Sequence, residues 1–401
     1  MKFLSLIILS IALFVLSARP VGNDIKQPKK STASLGDSGK ISMESAYVAE
    51  VCEKYFKELV SVTKLNGSIL VAQNGQILYE KSSGYANFQT KEKLKIESVF
   101  QLASVTKQFT SVSVMMLKEM GLINYDDTVQ KFYPKFPYKN ITVRMLLTHR
   151  SGLPDYTYFS GKYHTDKETP LTNQKLMQIM EQNKPAKNFD PNSRYKYSNT
   201  GYAVLGAIIE KVSGMRYQEF VYQFIFKPLG MKSSFAYDPD NFNQDSLLTT
   251  GYDRNNKELK KSFLDGVQGD KGIYSTLHDL LLWDEALYTD KLVKQSTLKE
   301  AFEPGSTDRK GFLNYGFGFR LRTLADGNRI VYHGGKWNGY NSLVLHLIDK
   351  HIAIIFLTNR RNMSFLHGYP QLLGKLKLTT DTLNDEMSTS EGEMKMEKLA
   401  N

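Results

Sequence analysis

Strand signals stand at the two ends of this chain and helix signals fill its middle, an order that few folds can satisfy. Near the start, Ser68–Ala72 and Gln76–Glu80 flank Gln73-Asn74-Gly75. An Asn-Gly pair between two such runs favours a tight hairpin turn, because both residues tolerate positive φ. Near the far end, Ile330–Tyr332, Ser342–Leu347 and Ile352–Leu357 read as three more strands. Between them, helical apolar spacing runs over Ser104–Met120, Val143–Thr148, Asn173–Asn183, Tyr202–Ser213, Tyr217–Lys227 and Thr276–Tyr288. A further helix, Glu44–Val62, precedes the hairpin. A hairpin alone is barely stable, so the distant strands are expected to join one sheet. The predicted class is α/β of the α+β type: an antiparallel sheet flanked by helices, plus an inserted helical region.

The ends read differently from the body. Residues 1–18 combine Lys2, an apolar run Phe3–Val15 and a small residue at Ala18, the pattern of an export signal. An uncleaved anchor, hence a membrane tether, is the alternative, although the run is shorter than the roughly 20 residues that span a bilayer. Residues 19–42 form a polar spacer, 43–377 the folded domain and 378–401 a flexible acidic tail. The expected location is secreted or periplasmic. The single cysteine, Cys52, excludes an internal disulfide. The net charge of +11 is spread thinly, with no basic run, aromatic-interleaved basic stripe or zinc-finger spacing, so no nucleic acid partner is expected. Seven histidines form neither H-E-x-x-H nor a close pair in sequence, so no metal site is expected.

The search for a nucleophile narrows to one serine. No G-x-S-x-G occurs, and Gly36-Asp37-Ser38-Gly39 lies in the polar spacer ahead of every histidine. S-x-x-K occurs at Ser61, Ser104 and Ser296. Ser61 closes a helix, and Ser296 opens a charged one, where a capping role is the plain reading. Ser104 follows the apolar Val99–Ala103 and begins a long apolar helix. There the first-turn N–H groups lack intrahelical partners and the dipole favours negative charge. Lys107, three residues on, lies on the same face within reach of the hydroxyl. Burial lowers a lysine pKa, and a neutral amine can take the serine proton. A serine cap beside a solvated lysine would show the same pattern, so companions are needed. Y-x-N occurs at Tyr85, Tyr138 and Tyr197; the first two read as surface positions, while Tyr197-Ser198-Asn199 sits just before a long apolar helix. His333-Gly334-Gly335 is the only H-x-G, and its glycines permit close approach to a strand.

The ordered set Ser104-x-x-Lys107, Tyr197-x-Asn199 and His333-x-Gly335 resembles the serine β-lactamase and penicillin-binding-protein superfamily, with its β-lactamase/transpeptidase-like fold. It is most similar to the class C β-lactamase-related branch, which includes D-alanyl-D-alanine carboxypeptidases and esterases. The likeness runs from Glu44 to Lys377 and includes Leu146–Pro154, Tyr202–Gly214 and Gly339–Asn359. It implies that Ser104 is acylated, that Lys107 shares its proton, and that Tyr197 acts with Lys107 as general base and then protonates the leaving group. Asn199 would bind substrate or hold Lys107. His333, Gly335 and Lys336 would lie along the substrate, with the N–H groups of Ser104 and Lys336 as oxyanion hole. The substrate would be a small ester, amide or peptide, and no cofactor would be needed. The alternative is a non-catalytic penicillin-recognising or scaffold module on the same fold.

Three departures leave the pocket open. Asn192 stands where the family often has glycine, a mild change because Asn tolerates left-handed backbone. Gly269–Ile273 carries Asp270 and Lys271 where small residues are usual. Lys336 and Trp337 are both large. Lys271 and Lys336 either face the cleft or are solvated surface lysines.

Overall fold

The computed structural model describes residues 38–239, 247–306, 313–324 and 327–379. The expected export signal, most of the spacer and all but two residues of the acidic tail lie outside these residues. The chain divides into residues 1–50 and a compact unit from Val51 onward. Helix α1 (Ser38–Thr63) starts inside the stretch expected to be spacer. Among the described residues, no helix is long and apolar enough to cross a membrane.

The distant strands do meet in one sheet. Its members are β1 (Gly67–Gln73), β2 (Gln76–Ser83), β3 (Leu313–Tyr315), β4 (Arg320–Thr323), β5 (Arg329–Trp337), β6 (Tyr340–Leu347) and β7 (Ile352–Thr358). They run antiparallel in the order β2-β1-β7-β6-β5-β4-β3. The hairpin turn forms as expected, with Asn74 at φ +50° and Gly75 at φ +73°. The two strands at one end of the sheet, β4 and the edge strand β3, carry no strand signal in the sequence, because both are short, with little pattern to read. Strand β7 is buried at every position, which explains its unbroken apolar run. Phe356 faces one side, stacked on Phe365 of a C-terminal helix and touching Tyr55 of α1. Ala353, Ile355 and Leu357 face the other side and join the main core.

That main core is built around two helices of the middle region. Helix α2 (Thr106–Glu119) follows a single 3₁₀ turn, Ala103–Val105, and buries all but its last two residues. Phe109 stacks on Trp283 of α4 (Leu277–Ala286) with ring centroids 4.0 Å apart. Helix α3 (Asn199–Ser213) begins three residues earlier than its apolar pattern does. The cause is Ser198, whose hydroxyl accepts from the Gly201 N–H at 3.1 Å and caps the helix. The helix ends on Gly214 at φ +71°. The expected helix Tyr217–Lys227 is broken by a π turn at Tyr222–Phe226. Ser296 is not a cap: Lys294 occupies that position and Ser296 is exposed within the helix Gln295–Ala301.

A small sheet missed by the pattern analysis joins the parts. Ile273–Ser275 pairs with Phe100–Gln101 on one side and with Phe235–Ala236 on the other. Strands of two or three residues carry almost no periodicity. This one nevertheless ties the segment before Ser104 to the segment after Lys271.

Phe109 is wholly buried between helices, so Phe109→Ala should cost about 3–5 kcal/mol of folding stability, the usual scale for a large buried ring. Urea unfolding of the variant measures it; an unchanged midpoint would mean that this contact does not hold the core together.

Candidate active site

The turn that carries Ser104 is clamped on both sides. The Leu102 N–H donates to Ile273 O at 2.8 Å, and Leu102 O accepts from the Ser342 hydroxyl at 2.6 Å. Ala103 is then forced to φ +48°, a conformation that costs a residue with a Cβ roughly 1–2 kcal/mol. Such strain persists only where surroundings over-determine it. Strand β5 passes so close that a Cβ on Gly335 would lie 2.3 Å from Leu102 O and 2.4 Å from Ser342 Oγ. Gly335 is therefore required for the strand to lie against the serine turn.

Lys107 is fully buried, and its ammonium group finds acceptors on three other segments. It donates to Asp270 O at 2.8 Å, to Asn199 Oδ1 at 3.0 Å and to Ser104 Oγ at 3.2 Å. Its Nζ also lies 5.0 Å from the Tyr197 ring centroid and 5.6 Å from that of Tyr202. An ammonium group in this position needs all these partners, because burying a charge without them is costly. The solvated-lysine reading of the Ser104 motif thus fails. Ser104 is half-buried, as are Tyr197 and Asn199. The other S-x-x-K serines are exposed. Of the other Y-x-N tyrosines, Tyr85 is half-buried, whereas Tyr138 is buried and donates to Pro185 O, which corrects its expected surface position.

Residues that no motif joined complete the surroundings. His149 and His333 come together around Tyr197, with ring centroids 4.3 Å and 6.0 Å from it. Tyr315 packs on His149 at 4.3 Å, and Arg320 lies 5.3 Å over the Tyr197 ring. The protonation of His333 follows from its partners. Its Nδ1 lies 2.7 Å from Gly334 O, a pure acceptor, so Nδ1 carries the hydrogen. Its Nε2, 3.0 Å from Tyr315 Oη, then accepts from that phenol. His333 is brought to the site, but both nitrogens are engaged within the protein. Burial holds its pKa well below the ordinary histidine value, helped by Arg320 and Lys107. His149 is depressed in the same way, by burial first and then by Lys107, His333 and Arg320. Tyr315, wholly buried, is pushed well above the ordinary phenol value.

The departures noted in the sequence are absorbed locally. Asn192 adopts φ +63°, the backbone for which glycine is usual, and its Oδ1 accepts from Arg150 Nε at 2.7 Å. Lys271 is 3% exposed, so it is not a surface lysine. It donates to Tyr156 Oη at 2.5 Å and lies 3.5 Å from Asp270 Oδ1, while Tyr156 donates to Asp270 Oδ2 at 2.9 Å. Its Nζ also sits 4.8 Å over the Trp337 ring. Two charges where small residues were expected therefore neutralise each other under the site. Lys336 is half-buried on β5. His149, Tyr315, Arg320 and Tyr156 are what sequence reasoning missed. His149 stood inside the quoted Leu146–Pro154 phrase, but nothing in its spacing tied it to Tyr197.

Gly335→Val should push β5 away from the serine turn and slow Ser104 labelling by a fluorophosphonate about 100-fold, the cost of misplacing reacting groups by about 1 Å. Labelling at the native rate would show that the strand need not lie this close. The histidines give a second expectation. A native pKa held below the unfolded value of about 6.5 means the unfolded chain binds the proton first, so each imidazole lowers stability as pH falls below 6.5. His333→Gln should remove up to about 1.4 kcal/mol per pH unit of this acid loss. Urea midpoints of both proteins between pH 7.5 and 5 measure the difference, and parallel pH dependences would contradict it.

Comparison with known proteins identifies the family. The Beta-lactamase family profile matches residues 53–373. Penicillin-binding protein 4* of Bacillus subtilis is 36% identical over 320 residues, covering 76% of this chain and 70% of the relative. A D-aminopeptidase of Brucella anthropi is 26% identical over 300 residues, 73% of this chain but only 56% of that enzyme's length. Among solved structures, the octameric penicillin-binding protein homologue from Pyrococcus abyssi superposes with a TM-score of 0.69 at 27% identity, covering 84% of this chain and 78% of the other. FmtA from Staphylococcus aureus shares the fold, with a TM-score of 0.68 at 23% identity over 84% of this chain and 93% of the other. The chain belongs to the beta-lactamase family and is a serine hydrolase of the β-lactamase and penicillin-binding-protein superfamily.

Proposed function

We propose that the protein hydrolyses small esters or amides, peptide substrates among them, through an acyl-enzyme on Ser104. The observation that carries this reading is the buried Lys107 nitrogen 3.2 Å from Ser104 Oγ, held there by Asn199 and by the Asp270 carbonyl. In the neutral form, that nitrogen takes the serine proton as Oγ attacks the substrate carbonyl, with Tyr197 sharing the proton. The negative oxygen that develops faces the N–H groups of Ser104 and Lys336, and stabilising it is the largest single effect available to such a site. The intermediate collapses as Tyr197 returns the proton to the departing alcohol or amine. Water then attacks the acyl group, releases the acid and restores Ser104. No step calls for a metal or cofactor.

Strand β5 supports a peptide-like substrate. Its pairing with β4 ends at Tyr332↔Arg320. From His333 to Trp337 no described strand pairs with it on that side, so an extended chain could add there through its backbone. The names of the relatives support amide bonds next to D-residues as the substrate class, with cell-wall-type D-alanyl peptides, β-lactams and esters as the compounds to try. Secretion or periplasmic location is part of the proposal and is supported by the apolar run Phe3–Val15.

A panel of p-nitrophenyl esters, nitrocefin and D-alanyl-D-alanine peptides, run beside Ser104→Ala, tests the activity. At least one compound should turn over, with the acyl adduct on Ser104 by mass spectrometry and no adduct on the variant. Acylation with no release by any compound would establish the binding module instead. Tyr197→Phe keeps shape and removes the phenol, so turnover should drop about 100-fold or more; a variant with near-native turnover would show that the phenol moves no proton.

A further inference from the structure

One residue grips the chain on both sides of Tyr197. The His149 carbonyl accepts from the Lys196 N–H at 3.0 Å, and its imidazole Nδ1 accepts from the Ser198 N–H at 3.1 Å. Between these bonds its ring lies against the Tyr197 ring, centroids 4.3 Å apart. We propose that His149 is the positioning residue that sets Tyr197 against Lys107 and Ser104, a role that rests on the proton-transfer function given to Tyr197 above.

The local structure is organised to deliver that side chain. The helix Val143–Leu147 ends at Thr148, and the chain turns through His149 at φ +59°. The Arg150 N–H closes the turn on Met145 O at 2.8 Å. Left-handed backbone is unfavourable for a residue with a Cβ unless something holds it. Here the reversal swings the ring inward, where it is fully buried. The Ser198 amide can only donate, so Nδ1 bears no proton and a neutral ring carries its hydrogen on Nε2. Burial and the nearby cations keep the ring neutral, which preserves the acceptor. Nε2 meets no hydrogen-bond partner among the described residues. Among the described residues His149 is hydrogen-bonded to neither Ser104 nor Lys107, and its route to them is the Tyr197 segment that it grips. Ser198 serves twice, since its hydroxyl caps α3 while its amide binds His149, so the phenol of Tyr197 and the amide of Asn199 leave one fixed point.

The consequence is a sharp requirement for an acceptor at one position. Asn and Gly both tolerate the left-handed backbone, but only Asn keeps an acceptor near the place of Nδ1. Phe keeps the ring and loses the acceptor. The readout is the rate of fluorophosphonate labelling of Ser104, which depends on serine activation and not on substrate recognition. His149→Asn should label within about 3-fold of the native rate, whereas His149→Gly and His149→Phe should be slowed about 10-fold or more. The double variant His149→Gly with Tyr197→Phe should be no more than about 2-fold slower than Tyr197→Phe, since residues acting through one group do not add. Near-UV circular dichroism of each variant checks folding, and the Asn and Gly pair still decides the matter if the Phe variant does not fold. Equal rates for Asn and Gly, or a double variant slowed by the product of the single losses, would overturn the proposal. A native rate for Tyr197→Phe would instead overturn the proton-transfer reading itself.

Discussion

A lysine with no solvent exposure is the constraint around which this structure is arranged. Lys107 is accommodated because Ser104 Oγ, Asn199 Oδ1 and Asp270 O converge on its nitrogen from segments 3, 92 and 163 residues away. An unpaired ammonium group at this depth would be prohibitive, and each acceptor removed leaves more of the cost exposed. Three separate parts of the fold must therefore be right before the serine has its neighbour. The 3₁₀ turn presents Ser104, the capped start of α3 presents Asn199, and the small sheet holds the Asp270 segment against both.

This dependence explains why strain is tolerated at the serine. Ala103 sits at positive φ directly after Leu102, whose N–H donates to Ile273 O and whose carbonyl accepts from the Ser342 hydroxyl. Relaxing it would shift Ser104 relative to Lys107 and move Leu102 off β5. The sheet is the more rigid partner, since β5 pairs along its length with β6, and β6 with the wholly buried β7. The glycine at 335 lets the turn press directly on that rigid strand. Closeness of backbone, not side-chain chemistry, is what Gly335 supplies.

Much of this could be read from the chain. The hairpin at Asn74-Gly75, the sheet assembled from both ends and the helices around Ser104 all follow from period, turn chemistry and the need to pair distant strands. The S-x-x-K, Y-x-N and H-x-G residues meet in one place, as their resemblance to a family implied. What was illegible has physical reasons. Strands of two or three residues, such as Phe100–Gln101, are too short to show alternation. Ser198 sets the start of α3 ahead of the apolar repeat, so the repeat alone leaves Asn199 outside the helix. Asp270 and Lys271 looked like an oddity in a segment of small residues, because only the fold shows that they pair with each other and with Tyr156. His149 and His333, 184 positions apart in the chain, form no pattern that a linear reading can join.

The same histidines show how charge is balanced around Ser104. Lys107, Lys271 and Arg320 bring positive charge to this small volume, and Asp270 is the carboxylate paired closest to it. Two further positive charges on His149 and His333 would have to share it, and the direct contacts rule that out. The carbonyl of Gly334 fixes a proton on one nitrogen of His333, and the Ser198 amide keeps one off Nδ1 of His149. A second proton on His333 would turn its Nε2 from acceptor of the Tyr315 hydrogen into a competing donor. One on His149 would confront the Ser198 N–H. Neutral rings are thus a matter of bonding as well as of burial. They leave the excess positive charge on lysine and arginine, whose field favours a negative oxygen near Ser104. Histidine here supplies shape and hydrogen bonds at fixed positions without adding charge, which is what a site already crowded with cations can accommodate.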